Sequence, residues 1–367
     1  MLRMPHYEFY MNTRIAICAA LAALILSRGA RAASPAKCGP FGDPPATVNH
    51  GTFAGFVTRH NPICAGGEVL GPWTDADGIA RYSCRYAPAA ASDKNPLPLV
   101  IFLHGSIATA DSVKMTGLPK LIDSADLGGA TPGFILLAPE GRYTSHFYPG
   151  MDSNGLGWDN WYRQLNPNGV VTVDGVAYPE NPDAAAIDHF VAVQVAAGNV
   201  DRRRIYLMGW SNGAAFAVLY SLNRPWIAAA AVYSAPDPFG AFNDPCPQAP
   251  AAGAASGNGQ LQLFNPHLPI MHVRNNCDIA GMCPNGSRFG DQLRAAGGSL
   301  VDVILDPSGS QVTKCDDTCG TDPTAQGDVG SGASLRGFWH HMRWPSARND
   351  QMLTFLKDHP LGAAAGP

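Results

Sequence analysis

Charge is scarce in this sequence. Asp, Glu, Lys and Arg make up 15% of its 367 residues, and the formal net charge is −4. No run of Lys or Arg exists that could track phosphates, which excludes nucleic acid as the expected partner. Apolar runs long enough to cross a bilayer are missing too: "IAICAALAALIL" at 15 to 26 holds 12 residues, against the ~20 a span requires. No internal repeat is visible. The sequence also lacks a cysteine and histidine spacing that suits structural zinc, since Cys277, Cys283, Cys315 and Cys319 are separated by unsuitable gaps and have no His at ligand distance beside them.

What is present begins with an export signature. Arg14 precedes the apolar run, and Ser27, Arg28 and the small-x-small site Ala30-Arg31-Ala32 follow it, which is the order of a secretory signal peptide. Residues 1–32 are therefore expected to be removed, leaving a mildly acidic secreted chain, extracellular or periplasmic, with no membrane attachment. Of nine cysteines, Cys18 leaves with that segment. The remaining eight are an even number, as a disulfide framework in an oxidising compartment requires, with the pairing left open.

The middle of the chain alternates strand and helix signals. "LPLVIFLHG" (97–105) and "GFILLAPEG" (133–141) are continuous apolar runs ended by glycine, the pattern of strands buried on both faces. In "NPDAAAIDHFVAVQVAAG", Asn181 can cap a helix, Pro182 suits its first turn, and Ile187, Phe190, Val191 and Val195 share a face up to Gly198. Strand signals follow at 204–209, 227–235, 268–274 and 300–306, with helical spacers at 212–223 and 287–297. Strands separated by helices require parallel pairing and right-handed crossovers. The expected fold is α/β: a doubly wound, mostly parallel sheet with helices on both faces, formed by one domain over residues 33–360. Residues 34–95 would wrap its edge, and 361–367 form a flexible tail.

Within that frame the stretch "RIYLMGWSNGAA" (204–215) places Ser211 at a tight turn from a buried strand into a helix. Such a turn pushes the serine Oγ out above the sheet and aims the first helical N–H groups at whatever it attacks. Ser211 is thus the expected nucleophile and Asn212 N–H an oxyanion donor. Its partners should follow in the order acid, then histidine. Asp278 comes directly after the strand "LPIMHVR", whereas Asp302 and Asp306 sit in or at the end of the next strand. The "FWHHMRWP" segment, after a long loop at 307–338, offers His341 as base with His340 as the alternative. His104 comes too early and reads as structural, while Ser106, past the Gly105 bend, should supply the second oxyanion N–H. The acidic "CDDTCGTDPTAQGD" lacks the ligand rhythm of a calcium loop and reads as solvated. No metal or cofactor is expected. Trp158, Trp161 and Trp210 are candidates for an aromatic platform under a substrate, or for anchors of a long loop.

The segments "LPLVIFLHGS", "GWDNW", "NVDRRRIYLMGWSNGAA" and "HMRWP" together resemble the secreted α/β-hydrolase esterases that include poly(3-hydroxybutyrate) depolymerases and feruloyl or acetylxylan esterases. The resemblance covers about residues 80 to 358. It implies an α/β-hydrolase fold, a Ser211, Asp278 and histidine triad, and an ester substrate, polymeric or small. The sequence departs from that family where Gly157 stands in place of a cysteine, and where one extra residue separates His341 from Trp344-Pro345. Two other functions fit the same machinery: a peptidase of the prolyl-oligopeptidase type, and a binding module that keeps the fold without catalysis. Oligomeric state is not legible.

Overall fold

The structure, a computed structural model, describes residues 62–143 except 76–77 and 107, then 156–158, 181–236 and 265–362 with breaks at 266, 280–281, 296, 317–318 and 320–334, plus short backbone pieces at 52–53, 56–57, 171–173 and 176–178. The predicted signal peptide, Cys38, Cys246, Trp161 and most of the acidic 315–328 segment lie outside the described residues.

Nine strands build one sheet. They are β1 (Glu68–Thr74), β2 (Ala80–Tyr86), β3 (Leu97–Leu103), β4 (Ile135–Pro139), β5 (Val200–Trp210), β6 (Ala229–Tyr233), β7 (Pro269–Asn275), β8 (Ser299–Leu305) and β9 (Gln311–Val312). Their spatial order is β9-β8-β7-β6-β5-β3-β4-β2-β1. The six strands from β8 to β4 run parallel, and β9, β2 and β1 pair antiparallel at the two edges. The chain steps outward from β3 to β4 on one side and returns to add β5 on the other. The carboxyl ends of β3 and β5 therefore flank the switch point where open α/β sheets bind ligands.

Both faces of this sheet are covered, which explains why its strands read as continuous apolar runs. Leu97, Leu99, Ile101 and Leu103 of β3 face one core, with residues of helices α1 (Pro182–Ala196), α2 (Asn212–Leu222) and α3 (Met282–Ala295). Val100 and Phe102 face the other, with the 3-10 turn Ala110–Thr116 and Met352, Leu353 and Leu356 of α5 (Asn349–Lys357). The architecture is the doubly wound, mostly parallel α/β sheet with helices on both faces that the sequence leads one to expect. Helix α1 begins as its sequence indicates: Pro182 occupies the first turn and the Asn181 side chain accepts from Asp183 N at 2.9 Å and Ala184 N at 3.1 Å.

Three details differ from the sequence reading. The edge segment is not merely wrapped on: residues of 68–86 pair as β1 and β2, and β2 joins the sheet through β4. Helix α3 starts five residues ahead of the 287–297 spacer, with Met282 and Cys283 buried in its first turn. The stretch read as a loop at 307–338 contains strand β9 and opens helix α4 (Leu335–His341), which carries both candidate histidines. Strand β9 and helix α4 are too short to show a hydrophobic period.

Three disulfides occur among the described residues: Cys64–Cys84, Cys277–Cys319 and Cys283–Cys315. The first ties the segment before β1 to β2, and the other two staple the loop after β9 to the end of β7 and the start of α3. Among the described residues, no helix is long and apolar enough to cross a membrane.

Candidate active site

Ser211 lies between the last residue of β5 and the first of α2 with φ 56° and ψ −120°. A side chain at positive φ is strained, and that conformation is what turns the chain from strand to helix within one residue. The turn is possible because neighbouring positions carry no Cβ: a side chain at Gly213 would run into the main-chain carbonyls of Leu103 and His104. Ser211 N donates to Tyr233 O of β6 at 3.0 Å, pinning the elbow to the next strand.

Three sequence candidates meet in one line of hydrogen bonds. Ser211 Oγ lies 2.8 Å from His341 Nε2, and His341 Nδ1 lies 2.7 Å from Asp278 Oδ1. The carboxylate can only accept, so Nδ1 carries the proton and Nε2 faces the hydroxyl as an acceptor. Asp278 is buried, and its oxygens are filled: Oδ1 also accepts from Ile279 N at 2.7 Å, and Oδ2 accepts from Ser234 Oγ at 2.7 Å. A buried carboxylate is tolerable only when it is paired in this way.

His340 goes elsewhere. Its Nδ1 donates to Cys277 O at 3.0 Å, which ties α4 to the loop that bears Asp278. The same contact explains Gly337, where a Cβ would strike the Asp278 main chain. The carbonyls at the end of α4 are also held: Trp210 Nε1 donates to His341 O at 2.9 Å, and Tyr233 Oη donates to His340 O at 2.8 Å. Of the competing carboxylates, Asp302 pairs with Arg274 at 2.8 Å and Asp306 closes its own turn by accepting from Ser308 N and Ser310 N.

The candidate oxyanion donors lie on the two walls of the switch point. Asn212 is the first residue of α2, and Ser106 is half-buried on the turn after β3. At the adjacent Gly105 an added Cβ would come within 3.5 Å of Ser211 Cβ, so this turn lies directly against the serine. His104 is fully buried behind it: Nε2 accepts from Gly141 N at 2.9 Å and Nδ1 donates to Gly105 O at 2.8 Å, so the ring is neutral. Burial lowers its pKa to about 4.

The tryptophans require a correction. Trp158 is fully buried, with its ring stacked on Phe216 at 5.5 Å. Its Nε1 donates to His104 O at 2.8 Å, its N donates to Asn212 Oδ1 at 2.7 Å, and its O accepts from Asn212 Nδ2 at 3.0 Å. It therefore bridges the two segments that carry the oxyanion candidates and has no open face to offer a substrate. Trp210 is buried too, edge-on to Trp344 at 6.1 Å. Trp161 lies outside the described residues. For Trp158 and Trp210 the burial favours anchoring over the platform, the alternative the sequence also left open, because spacing after a strand locates a residue near the sheet edge without saying which way its ring points.

Sequence reasoning missed Ser234, Tyr233 and His272. Ser234 follows β6 with φ 48°, and His272 Nε2 accepts from Ala235 N at 3.0 Å behind it. No glycine stands at this turn, and Pro236 marks only that the strand has ended. The signal that points to the site is its position between the strands bearing Ser211 and Asp278.

No family model matches the chain, and no curated protein matches it. Among solved structures, it is similar to a thermophilic esterase from the planctomycete Thermogutta terrifontis, at TM-score 0.46 and 14% identity, covering 71% of this chain and 90% of that one. It is similar to an S-formylglutathione hydrolase from Agrobacterium tumefaciens at TM-score 0.48 and 12% identity, covering 81% and 96%. The Bacillus cereus carboxylesterase aligns at TM-score 0.38 and 14% identity, covering 64% and 88%. These likenesses concern the fold, and the chemistry rests on the site itself.

Proposed function

We propose that this protein is a secreted serine hydrolase that cleaves carboxylic esters through an acyl-enzyme, with residues 33–360 as its catalytic domain behind a cleavable export segment. The observation that carries the reading is the unbroken Ser211–His341–Asp278 hydrogen-bond line, 2.8 Å and 2.7 Å long, at the tip of a strained elbow. In the first half-reaction His341 Nε2 takes the Ser211 proton as Oγ bonds to the acyl carbon. The ester C–O bond then breaks, and Nε2 passes the proton to the departing alkoxide. Water repeats the sequence against the acyl-serine and releases the acid. Asp278 holds the imidazole in the required tautomer and stabilises its cationic form. The N–H groups of Ser106 and Asn212 receive the developing oxyanion. The three disulfides suit the oxidising compartment that export implies.

The substrate class is a carboxylic ester of polyhydroxyalkanoate, feruloyl or acetyl type, and Trp158 and Trp210, whose indole N–H groups both bind main-chain carbonyls, act as braces of the site and not as its platform. Turnover of p-nitrophenyl acetate and butyrate by the secreted chain, compared with Ser211→Ala, tests the reading. The expected loss is roughly 10⁴-fold or more with the fold intact. A folded Ser211→Ala protein that keeps a tenth of the activity overturns it.

A further inference from the structure

Two non-glycine residues at the carboxyl edge of the sheet hold positive φ: Ser211, whose strain the elbow explains, and Ser234, at φ 48°, which has no elbow to make. Left-handed backbone in a residue with a Cβ costs about 1 kcal/mol or more, and such strain collects where function requires it. Glycine would relieve it. The hydroxyl of Ser234 is fully buried and lies 2.7 Å from Asp278 Oδ2, the carboxylate oxygen that His341 does not use. The residue before it touches the nucleophile's main chain and the neighbour of the base: Tyr233 O accepts from Ser211 N at 3.0 Å, and Tyr233 Oη donates to His340 O at 2.8 Å. Two consecutive residues at the end of β6 thus contact the nucleophile's backbone, the acid's side chain and the helix end that carries the base. The turn is itself held from behind, by Ser234 N donating to Val273 O at 2.8 Å and by Ala235 N donating to His272 Nε2 at 3.0 Å.

We propose that Ser234 is a positioning residue for the reaction, held in left-handed backbone so that its hydroxyl locks the rotation of the Asp278 carboxylate and thereby the ring of His341. The proposal rests on the hydrolase reading above. With Oδ1 shared between His341 Nδ1 and Ile279 N, the hydroxyl on Oδ2 is the contact that prevents the carboxylate plane from turning. Serine is kept where glycine would be more relaxed because glycine has no hydroxyl to give.

Two variants separate this role from a structural one. Ser234→Ala removes the hydroxyl and keeps the strain, whereas Ser234→Gly removes both. Both should lower kcat on p-nitrophenyl acetate about tenfold with KM within about twofold, although the glycine variant melts at or above wild type and the alanine variant below it. In an Asp278→Asn background neither should lower kcat further, since the hydroxyl then has no carboxylate to orient. Ser211 labelling by a fluorophosphonate is followed alongside, because it reports the nucleophile without any choice of ester. A wild-type chain that labels at Ser211, with both variants labelling about tenfold more slowly, supports the proposal. Variants that label and turn over at the wild-type rate overturn it, as does activity that follows melting temperature across the pair. A wild-type chain that does not label at all overturns the hydrolase reading and this proposal with it.

Discussion

The interior of the sheet and the turns at its carboxyl edge are built on opposite principles. Strand β3 is apolar, fully buried and regular along Leu97–Leu103, and β6 is the same along Ala229–Tyr233. One residue beyond the ends of β5 and β6, the chain bends through positive φ at Ser211 and Ser234, and beyond β7 it buries the charge of Asp278. Along these two strands there is no positive φ and no buried charge. The edge holds both within a few residues, and they point at the same three side chains. A rigid apolar sheet is what makes that arrangement tolerable, because packing on both faces holds the strand ends in place while the turns carry strain and buried polarity.

The largest effect that can test this contrast is at the base. His341→Ala should cost about as much as losing Ser211, roughly 10⁴-fold in kcat, while His340→Ala, one residue away, should cost about tenfold or less by loosening the tie to Cys277 O. Steady-state kinetics on folded variants decide it, and the reverse ranking would exchange the two roles.

Acid should act next, through the imidazoles that brace the turns. Burial lowers the pKa of His104 to about 4 and of His272 to about 3, and each accepts a main-chain N–H that protonation would expel. The unfolded chain takes up these protons near pH 6.5, so their contribution to stability is whole above that pH and is lost as pH falls toward 4. Each should cost up to about 3 kcal/mol across that window, visible as a fall in urea midpoint between pH 7 and pH 4. His104→Gln and His272→Gln variants should flatten the profile.

In the interior the expected effect is smaller than that of the two imidazoles together, and of another kind. Leu207→Ala leaves a cavity at a fully buried position of β5 and should remove about 3 kcal/mol of stability while kcat per folded molecule stays within about twofold. If kcat instead falls with stability, the two regions are not separable. The smallest effect should come from Trp158→Phe, which keeps the ring against Phe216 and removes the hydrogen bond to His104 O. A loss of about tenfold in kcat on every ester tested, about 1.4 kcal/mol, marks a residue that braces the oxyanion walls. Selective loss on bulky esters would restore it to the substrate pocket.

The same contrast explains what could be read from the sequence. The strands and α1 were legible because burial on both faces leaves continuous apolar runs, and because Asn181 and Pro182 announce a helix start. Ser211 was legible from its flanking glycines and Asp278 from chain order, while chain order left His341 with His340 as the alternative. Ser234 was not legible, since a strained serine carries no mark in sequence once glycine is absent. Strand β1 was hidden by the Gly71-Pro72 interruption, β2 by polar residues at buried positions such as Arg81 and Ser83, and α4 by its length. Trp158 was found near the site with platform and anchor both open, because orientation belongs to packing and not to spacing.

The account turns on Ser211 forming a covalent bond to the acyl group with His341 as its base. Rapid mixing of the chain with excess p-nitrophenyl acetate, followed by acid quench and peptide mapping, measures that bond directly. The account predicts one acetyl group per chain on the peptide containing Ser211, formed within the burst of nitrophenolate, and no such adduct in His341→Ala. Nitrophenolate release with no acetyl on Ser211, or an adduct that forms as fast without His341, would contradict it.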